Sequence, residues 1–283
     1  MAIRTDLAIE CREMFGAEIA GVESLVHDSD GITVTRVKVT TDEGAKQIGK
    51  PMGDYVTVEI DSMLLENEDV VDRISGAVCD ELKKLILLKN TDSVLIVGLG
   101  NRYITPDSIG PKAVSKITVT RHITKEAQMG FDFNVRAVSA VAPGVLGITG
   151  IETGEIVKGV VEHIKPSLII AVDALAARSM KRLGTTVQLS NTGICPGSGV
   201  GNNRKELTEK TLGVPVIAVG VPMVVDAVTL ALDILGEKEI NSRVDSTLSD
   251  RSKNMIVTMN DVDAISEKIS TIIADGINMA IHS

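Results

Sequence analysis

Three almost entirely apolar segments, rich in β-branched residues, constrain the fold more than any other feature of the chain. They lie at Val94–Val97, Ser167–Ser179 and Gly213–Ala227. Continuous runs of this kind are typical of strands buried on both faces of a parallel sheet. Stretches with helical spacing of apolar residues lie at Asn67–Lys89, Ile109–Thr118 and Ile151–Ile164. We therefore predict a doubly wound α/β sheet with helices on both faces.

The remaining segments complete this outline. Gly31–Thr41 and Asp54–Asp61 alternate between apolar and polar residues, which predicts strands with one solvent-exposed face. The third apolar run is expected to continue as a helix over Val224–Leu235. Residues 236–253 are polar and predict an irregular surface segment. The helical spacing of apolar residues from Val262 to Ile277 predicts a closing amphipathic helix, with Asn260 or Asp261 as its N-cap. We expect a single domain over residues 1–283.

Composition argues against several classes of function. The chain has no Trp, two Tyr and three Phe in 283 residues, too few aromatic rings for a surface that stacks single-stranded nucleic acid. Its net charge of −9 disfavours contact with phosphate backbones. The three cysteines form no CxxC pair, and no apolar stretch is long enough to span a bilayer. We expect a cytoplasmic protein in a reducing compartment, with no membrane or direct nucleic-acid partner.

The segment VLIVGLGNRYITPDSIGP joins the first apolar strand to a loop that contains glycine. Gly98 and Gly100 match the start of a dinucleotide fingerprint, but Tyr103 stands where that fingerprint requires a third glycine. A carboxylate, Asp107, follows between two prolines. The loop can either cradle a phosphate or orient Asp107. Gly98, Gly100 and Asn101 are its candidate supporting residues.

Two carboxylates are expected at the ends of apolar strands. Asp107 follows Val94–Val97, and Asp173 is predicted at the tip of a strand over Leu168–Val172. Ligands of doubly wound sheets bind at the carboxyl ends of the strands, so the two acids face one crevice if their strands are neighbours. Close carboxylates can share a proton, which makes one a base that activates water and the other an acid that protonates a leaving group. The alternative is that each aspartate caps the helix after its strand.

A second glycine-rich loop spans Asn191–Arg204. It contains Gly197, Ser198 and Gly199 but lacks the Lys-Ser/Thr ending of a P-loop. Its backbone N–H groups can bind an oxyanion or a peptide carbonyl. The alternative is a flexible connection between strands. Cys195 in this loop is more typical of packing than of a nucleophile.

Nine blocks of the sequence, spread in order over almost the whole chain, resemble those of a known family. They are RTDLAIE, GKPMGDYVTVE, VGLGNRYITPDSIGP, VTRH, VSAVAPGVLGITGIETGEIV, AVDALAARS, QLSNTGICPGSGVGNNRKELT, TLGVPVIAVGVPMVVDA and ADGINMAIH. The family is that of the germination proteases, endopeptidases of bacterial spores that degrade small acid-soluble spore proteins. The number and order of the blocks make the resemblance specific.

The resemblance implies an atypical aspartic mechanism without a cofactor or a metal. The family's functional aspartates lie in TPD and VDA motifs, which correspond here to Asp107 and Asp173. The implied fold is phosphorylase/hydrolase-like and resembles that of hydrogenase-maturation endopeptidases. The resemblance also implies a homotetramer in the forespore or spore core. Family members are usually made as zymogens with a propeptide before the RTDLAIE block, but only three residues precede Arg4 here. We therefore expect a processed form, an engineered start or a member with almost no propeptide. The implied cleavage sites place an acidic residue before a large aliphatic residue or Phe.

Two alternatives remain open. Hydrogenase-maturation endopeptidases share a GxGN loop and a DA motif but arrange their acids around nickel, so the chain can also be a metal-dependent endopeptidase. Such a site would require a further ligand, for which His122 is a candidate if the fold brings it to the acids. The other alternative is a module without enzymatic activity that binds a nucleotide or a peptide through the GLGN loop.

Overall fold

The computed structural model describes residues 4–16, 18–62, 69–123, 135–197, 204–235 and 255–282. Its strands are β1 Val22–Ser29, β2 Ile32–Val39, β3 Gly53–Ile60, β4 Val94–Gly98, β5 Val138–Val141, β6 Leu168–Ala177, β7 Thr186–Ser190, β8 Val216–Asp226 and β9 Ile256–Val257. They form one mixed sheet in the order β1-β2-β3-β7-β8-β6-β4-β5, and β9 pairs with β8.

Helices cover both faces of this sheet, which confirms the predicted α/β class. They are α1 Ala8–Glu13, α2 Asp42–Ile48, α3 Asp69–Leu85, α4 Ile109–Val114, α5 Leu146–Thr149, α6 Thr153–Ile164, α7 Glu209–Leu212, α8 Ala227–Leu235 and α9 Val262–Ile281. Buried residues of α3, α4 and α9 pack with Ile96 and Ile170, whereas α6 packs with Leu95 and Ile169 on the opposite face. Successive residues of a strand point to opposite faces, so fully apolar strands require cover on both.

The strands that precede the two predicted aspartates are neighbours. β5, β4, β6 and β8 run parallel to one another and include all three apolar runs. β4 pairs with β6 from Val94 opposite Leu168 to Gly98 opposite Val172. The carboxyl end of β4 therefore lies beside the middle of β6, which is the condition for bringing Asp107 towards Asp173.

The second apolar strand is longer than the sequence predicts. β6 continues to Ala177, so the expectation that Asp173 lies at a strand tip is wrong: it lies in the strand interior, opposite Gly220 of β8. β6 continues because β8 pairs with it to the end. β8 in turn runs through Asp226, although a helix was predicted from Val224 onwards.

The other half of the sheet is antiparallel. It contains β2 and β3, which the alternating segments predict, together with β1 and β7, which no sequence pattern indicates. β1 is almost entirely exposed, and β7 is short and polar although it is fully buried. The polar helix α2 was likewise not predicted. Pairing with neighbouring strands, which a local pattern does not report, stabilises β1 and β7.

Two expectations concern roughly the last fifty residues of the chain. The predicted irregular segment at residues 236–253 lies outside the described residues. The closing amphipathic helix is present as α9 and begins directly after Asp261. Within the part of the chain that the structure describes, no helix combines the length and the apolar character needed to cross a membrane.

Candidate active site

The loop after β4 is shaped by glycines that leave no room for a side chain. A Cβ on Gly98 would lie 2.3 Å from the carbonyl oxygen of Gly110. A Cβ on Gly100 would lie 2.1 Å from the carbonyl oxygen of Asp107, and Gly100 has a φ of +106°, which disfavours other residues. The loop therefore folds back on itself and packs the backbone of Asp107 against Gly100.

Backbone hydrogen bonds restrain Asp107 in this loop. The amide of Asn101 donates to both the carbonyl oxygen and Oδ2 of Asp107, each at 2.9 Å. The amide of Asp107 donates to the carbonyl oxygen of Ile104 at 2.8 Å. The next residue, Ser108, is buried, and its Oγ donates to the carbonyl oxygen of Thr105 at 2.7 Å. These contacts hold the half-buried carboxylate of Asp107 in one place.

Asp173 is held by the sheet and is only 5% exposed. Its Oδ1 accepts a hydrogen bond from the amide of Ala174 at 2.9 Å. Burial raises the pKa of Asp173 well above its ordinary value; the charges of Asp107 and Asp6 add to this rise, and the hydrogen bond from Ala174 opposes it. The surroundings of Asp173 therefore favour its protonated form.

Asp107 differs from Asp173 in its burial and therefore in its pKa. Burial raises the pKa of Asp107 to about 6, although the hydrogen bond from Asn101 opposes this rise. Asp107, which is less buried, therefore loses its proton more readily, whereas the surroundings of Asp173 favour its protonated form. Two carboxyl groups whose pKa values are set apart by their surroundings can serve as a base and an acid in the same reaction.

Both aspartates line one cavity of about 260 Å³. Its apolar lining consists of Leu99, Ile104, Pro106, Val145, Leu146, Ala174, Leu175, Ala176, Pro196, Val224 and Ile256. Among the described residues that line it, Arg204 carries the one positive charge, and its Nη1 lies 3.4 Å from Oε1 of Glu152. An apolar cavity with a few polar groups suits a ligand that is bound by shape and oriented by those groups.

The predicted supporting residues divide into three groups. Gly100 and Gly197 line the cavity beside the aspartates. Gly98 and Asn101 are not part of the cavity lining. Gly98 packs closely against Gly110, and the amide of Asn101 donates to the carboxylate of Asp107. Ser198 and Gly199 lie outside the described residues, so their part in the site stays a prediction.

Sequence reasoning missed Asp6, which also lines this cavity. Its amide donates to the carbonyl oxygen of Ala176 at 2.9 Å, and its Oδ2 accepts from the amide of Ala176 at 2.9 Å. Nζ of Lys50 donates to the carbonyl oxygen of Asp6 at 2.9 Å. In the sequence, the one indication of this role is that Asp6 directly precedes two apolar residues, Leu7 and Ala8, which are fully buried in the structure.

A second cavity, of about 220 Å³, adjoins the first, and Asp6 and Leu175 line both. Cys195 lines this second cavity and does not line the cavity of the aspartates. Burial, with a smaller effect from the charge of Glu206, raises the pKa of the Cys195 thiol. A nucleophilic cysteine requires a lowered pKa, so the structure favours the packing interpretation of Cys195.

Comparison with known proteins identifies relatives along the whole chain. Residues 5–236 match the sequence model of a peptidase family described as germination protease. The chain is 45% identical to the germination protease of Caldanaerobacter subterraneus subsp. tengcongensis, covering 100% of this chain and 95% of the relative. It is 46% identical to that of Clostridium acetobutylicum, with 99% and 95% covered. It is 39% identical to that of Bacillus subtilis, with 99% and 93% covered.

Among solved structures, a NiFe hydrogenase maturation protease from Thermococcus kodakarensis KOD1 matches with a TM-score of 0.37 and 14% identity, covering 70% of this chain and 98% of that one. This similarity is too weak to support an argument about fold or chemistry. The family match, in contrast, covers most of the chain, and the relatives align over nearly their full length. The chain therefore belongs to the germination protease family.

Proposed function

We propose that this chain is an endopeptidase that initiates the degradation of small acid-soluble spore proteins during spore germination, with Asp107 and Asp173 as an atypical aspartic pair. Membership of the germination protease family supports the endopeptidase role in germination. The observation that carries the proposed mechanism is the presence of two carboxyl groups with unequal pKa in one cavity.

In this mechanism Asp107 is the base and Asp173 the acid. Ionised Asp107 takes a proton from a water molecule as the water oxygen bonds to the carbonyl carbon of the substrate. The C–N bond of the tetrahedral intermediate then breaks, and Asp173 gives its proton to the leaving nitrogen. Asp107 is now protonated and Asp173 ionised, and transfer of the proton from Asp107 to Asp173 restores the starting state. No cofactor enters these steps.

The proposed substrates bind as extended chains. A free, unfolded spore protein can place a segment in a cavity that a folded surface does not enter. The apolar walls suit the aliphatic residue of the proposed cleavage site, and Arg204 suits its acidic residue. The net charge of −9 disfavours direct contact with nucleic acid. A single peptidase domain, a homotetramer, zymogen activation and location in the forespore or spore core also belong to this proposal, on the strength of family membership.

A metal-dependent endopeptidase is the alternative that an experiment must separate from this proposal. Among the described residues, no three His, Cys, Asp or Glu side chains form a group that could hold a metal ion. His122 is exposed and is not among the residues that line the cavity. No observation of the site therefore favours the metal-dependent mechanism over the proposed one.

The test is cleavage of a purified small acid-soluble spore protein after exhaustive treatment of the enzyme with EDTA. We expect cleavage after an acidic residue, at the rate of the untreated enzyme, with the products mapped by mass spectrometry. Loss of cleavage on EDTA treatment, restored by stoichiometric nickel or zinc, would establish the alternative. If neither preparation cuts the spore protein, the proposed substrate is wrong.

A further inference from the structure

One edge of β6 is open beside the aspartates. β4 pairs with β6 as far as Gly98 opposite Val172, but β6 continues for five more residues, Asp173–Ala177. On its other side β6 stays paired with β8 up to Ala177. Within the part of the chain that the structure describes, no strand of the sheet pairs with Asp173–Ala177 on the side that β4 vacates.

The main-chain groups on this open edge belong to Ala174 and Ala176. The amide of Leu99 donates to the carbonyl oxygen of Val172 at 2.8 Å, so Val172 faces the side of β4. Along a strand paired in parallel, successive residues direct their N–H and C=O groups to opposite sides. Ala174 and Ala176 therefore face the side of β4 as well. The carboxylate of Asp173 lies on the same edge, since it accepts from the amide of Ala174.

The cavity occupies the space that a longer β4 would have filled. Asp173, Ala174 and Ala176 line it from β6, and Gly100 and Asp107 line it from the loop after β4. β4 does not continue because the chain turns back at Gly100, where φ is +106°. An extended chain placed in this space would lie against the open edge of β6 and beside both carboxyl groups.

A segment from outside the sheet already uses this edge. Asp6 donates its amide proton to the carbonyl oxygen of Ala176, and its carboxylate accepts from the amide of Ala176, both at 2.9 Å. These are the two groups that an added strand would pair with. The contact with Asp6 therefore shows that both main-chain groups of Ala176 are accessible to hydrogen-bonding partners from outside the sheet.

We propose that the polypeptide substrate binds as an added strand along the open edge of β6, pairing with the carbonyl oxygen of Ala174 and, in place of Asp6, with the main chain of Ala176, while the amide of Ala174 stays bonded to Asp173. This inference rests on the proposed endopeptidase function. Strand addition supplies affinity through main-chain hydrogen bonds and is independent of the substrate's side chains. It places a peptide bond of the substrate next to the carboxyl group of Asp173, with Asp107 across the cavity.

The test is a series of peptides, cut from a small acid-soluble spore protein around its cleavage site, each with one N-methyl group. The cleaved amide itself is left unmodified. N-methylation removes a donor and adds bulk, so it should lower kcat/KM by about tenfold or more where the residue faces β6. Neighbouring residues face away and serve as matched controls, with kcat/KM within about threefold of the parent peptide. The expected result is thus an effect that alternates with every second residue.

Loss of kcat/KM at consecutive positions, or at none, would overturn strand addition while leaving the endopeptidase function intact. If the parent peptide is not cleaved at all, the proposed function fails. The same peptides are then tested for binding to the wild-type chain by calorimetry. Affinity that alternates along the series would still support the docking edge, and affinity without alternation would overturn it.

Discussion

Asp107 and Asp173 line the same cavity, yet the chain holds them in opposite ways. Asp107 lies in a loop whose shape depends on Gly100 and on hydrogen bonds from the amide of Asn101. Asp173 lies inside a strand that is paired with β8 along its length. The loop leaves Asp107 half-buried with a pKa of about 6, whereas the sheet encloses Asp173 and raises its pKa well above the ordinary value. Identical side chains can thus receive the roles of base and acid mainly through their degree of burial.

The largest effect is expected when either carboxyl group is replaced. Asp107→Asn and Asp173→Asn should each lower kcat at least roughly a hundredfold, because each removes one of the two proposed proton-transfer groups. Asp226→Asn is a matched control: Asp226 is also a buried aspartate on a strand, but its Oδ1 accepts from Thr229 and it is not part of the cavity lining. The kcat of the Asp226→Asn variant should stay within about threefold of that of the parent. Near-normal kcat in either site variant would remove that residue from the mechanism.

A smaller effect should follow from disturbing the loop without touching either acid. Gly100→Ala places a Cβ against the backbone of Asp107 and forces alanine into a φ of +106°. We expect kcat to fall about tenfold or more, because Asp107 is the proposed base and displacement of a catalytic group by about 1 Å is costly. Gly159→Ala on α6 is the control, since a Cβ there meets nothing within 4 Å. It should raise the free energy of unfolding by about 0.5–1 kcal/mol and leave kcat unchanged. Equal kcat in both variants would show that the loop tolerates movement.

The smallest effect should appear in the pH dependence of stability. Folding raises the pKa of Asp107 from 3.8 to about 6, so its contribution to the free energy of unfolding is complete below about pH 4 and is lost as the pH rises through about 6. The free energy of unfolding of Asp107→Asn should therefore rise relative to that of the parent between about pH 4 and pH 6. Above about pH 6 this difference in free energy should stay constant. For Asp173→Asn the difference in free energy of unfolding should keep growing above that range, because Asp173 is more deeply buried and its pKa is raised well above the ordinary value.

Thermal or urea unfolding of the parent and both variants across this pH range measures the difference. For each variant, the quantity compared is the change in the free energy of unfolding with pH. A hydrogen bond lost in a variant shifts the free energy by the same amount at every pH, so it does not affect this comparison. Parallel curves for the two variants would contradict the unequal burial of the two carboxyl groups.

The three apolar strands and their two aspartates could be located from the sequence because parallel strands buried on both faces require continuous apolar residues. An acid that interrupts or follows such a run is therefore conspicuous. The position of Asp173 within β6 could not be predicted, since the length of a strand depends on its partner, here β8. β1 and β7 were missed for the same reason: their residues carry no local pattern, and they are strands through their pairing.

The sequence by itself determined the alternation of strands and helices, the two candidate acids and the membership of a family, because these properties are written in local patterns and in the order of motifs. Only the tertiary structure decided which acid is more deeply buried, where the cavity lies and that Asp6 belongs to it. Asp6 and Ala176 are 170 positions apart and share two hydrogen bonds. The pKa of a buried carboxyl group depends on how much water its neighbours exclude. Those neighbours come from distant parts of the chain, so no local pattern contains them.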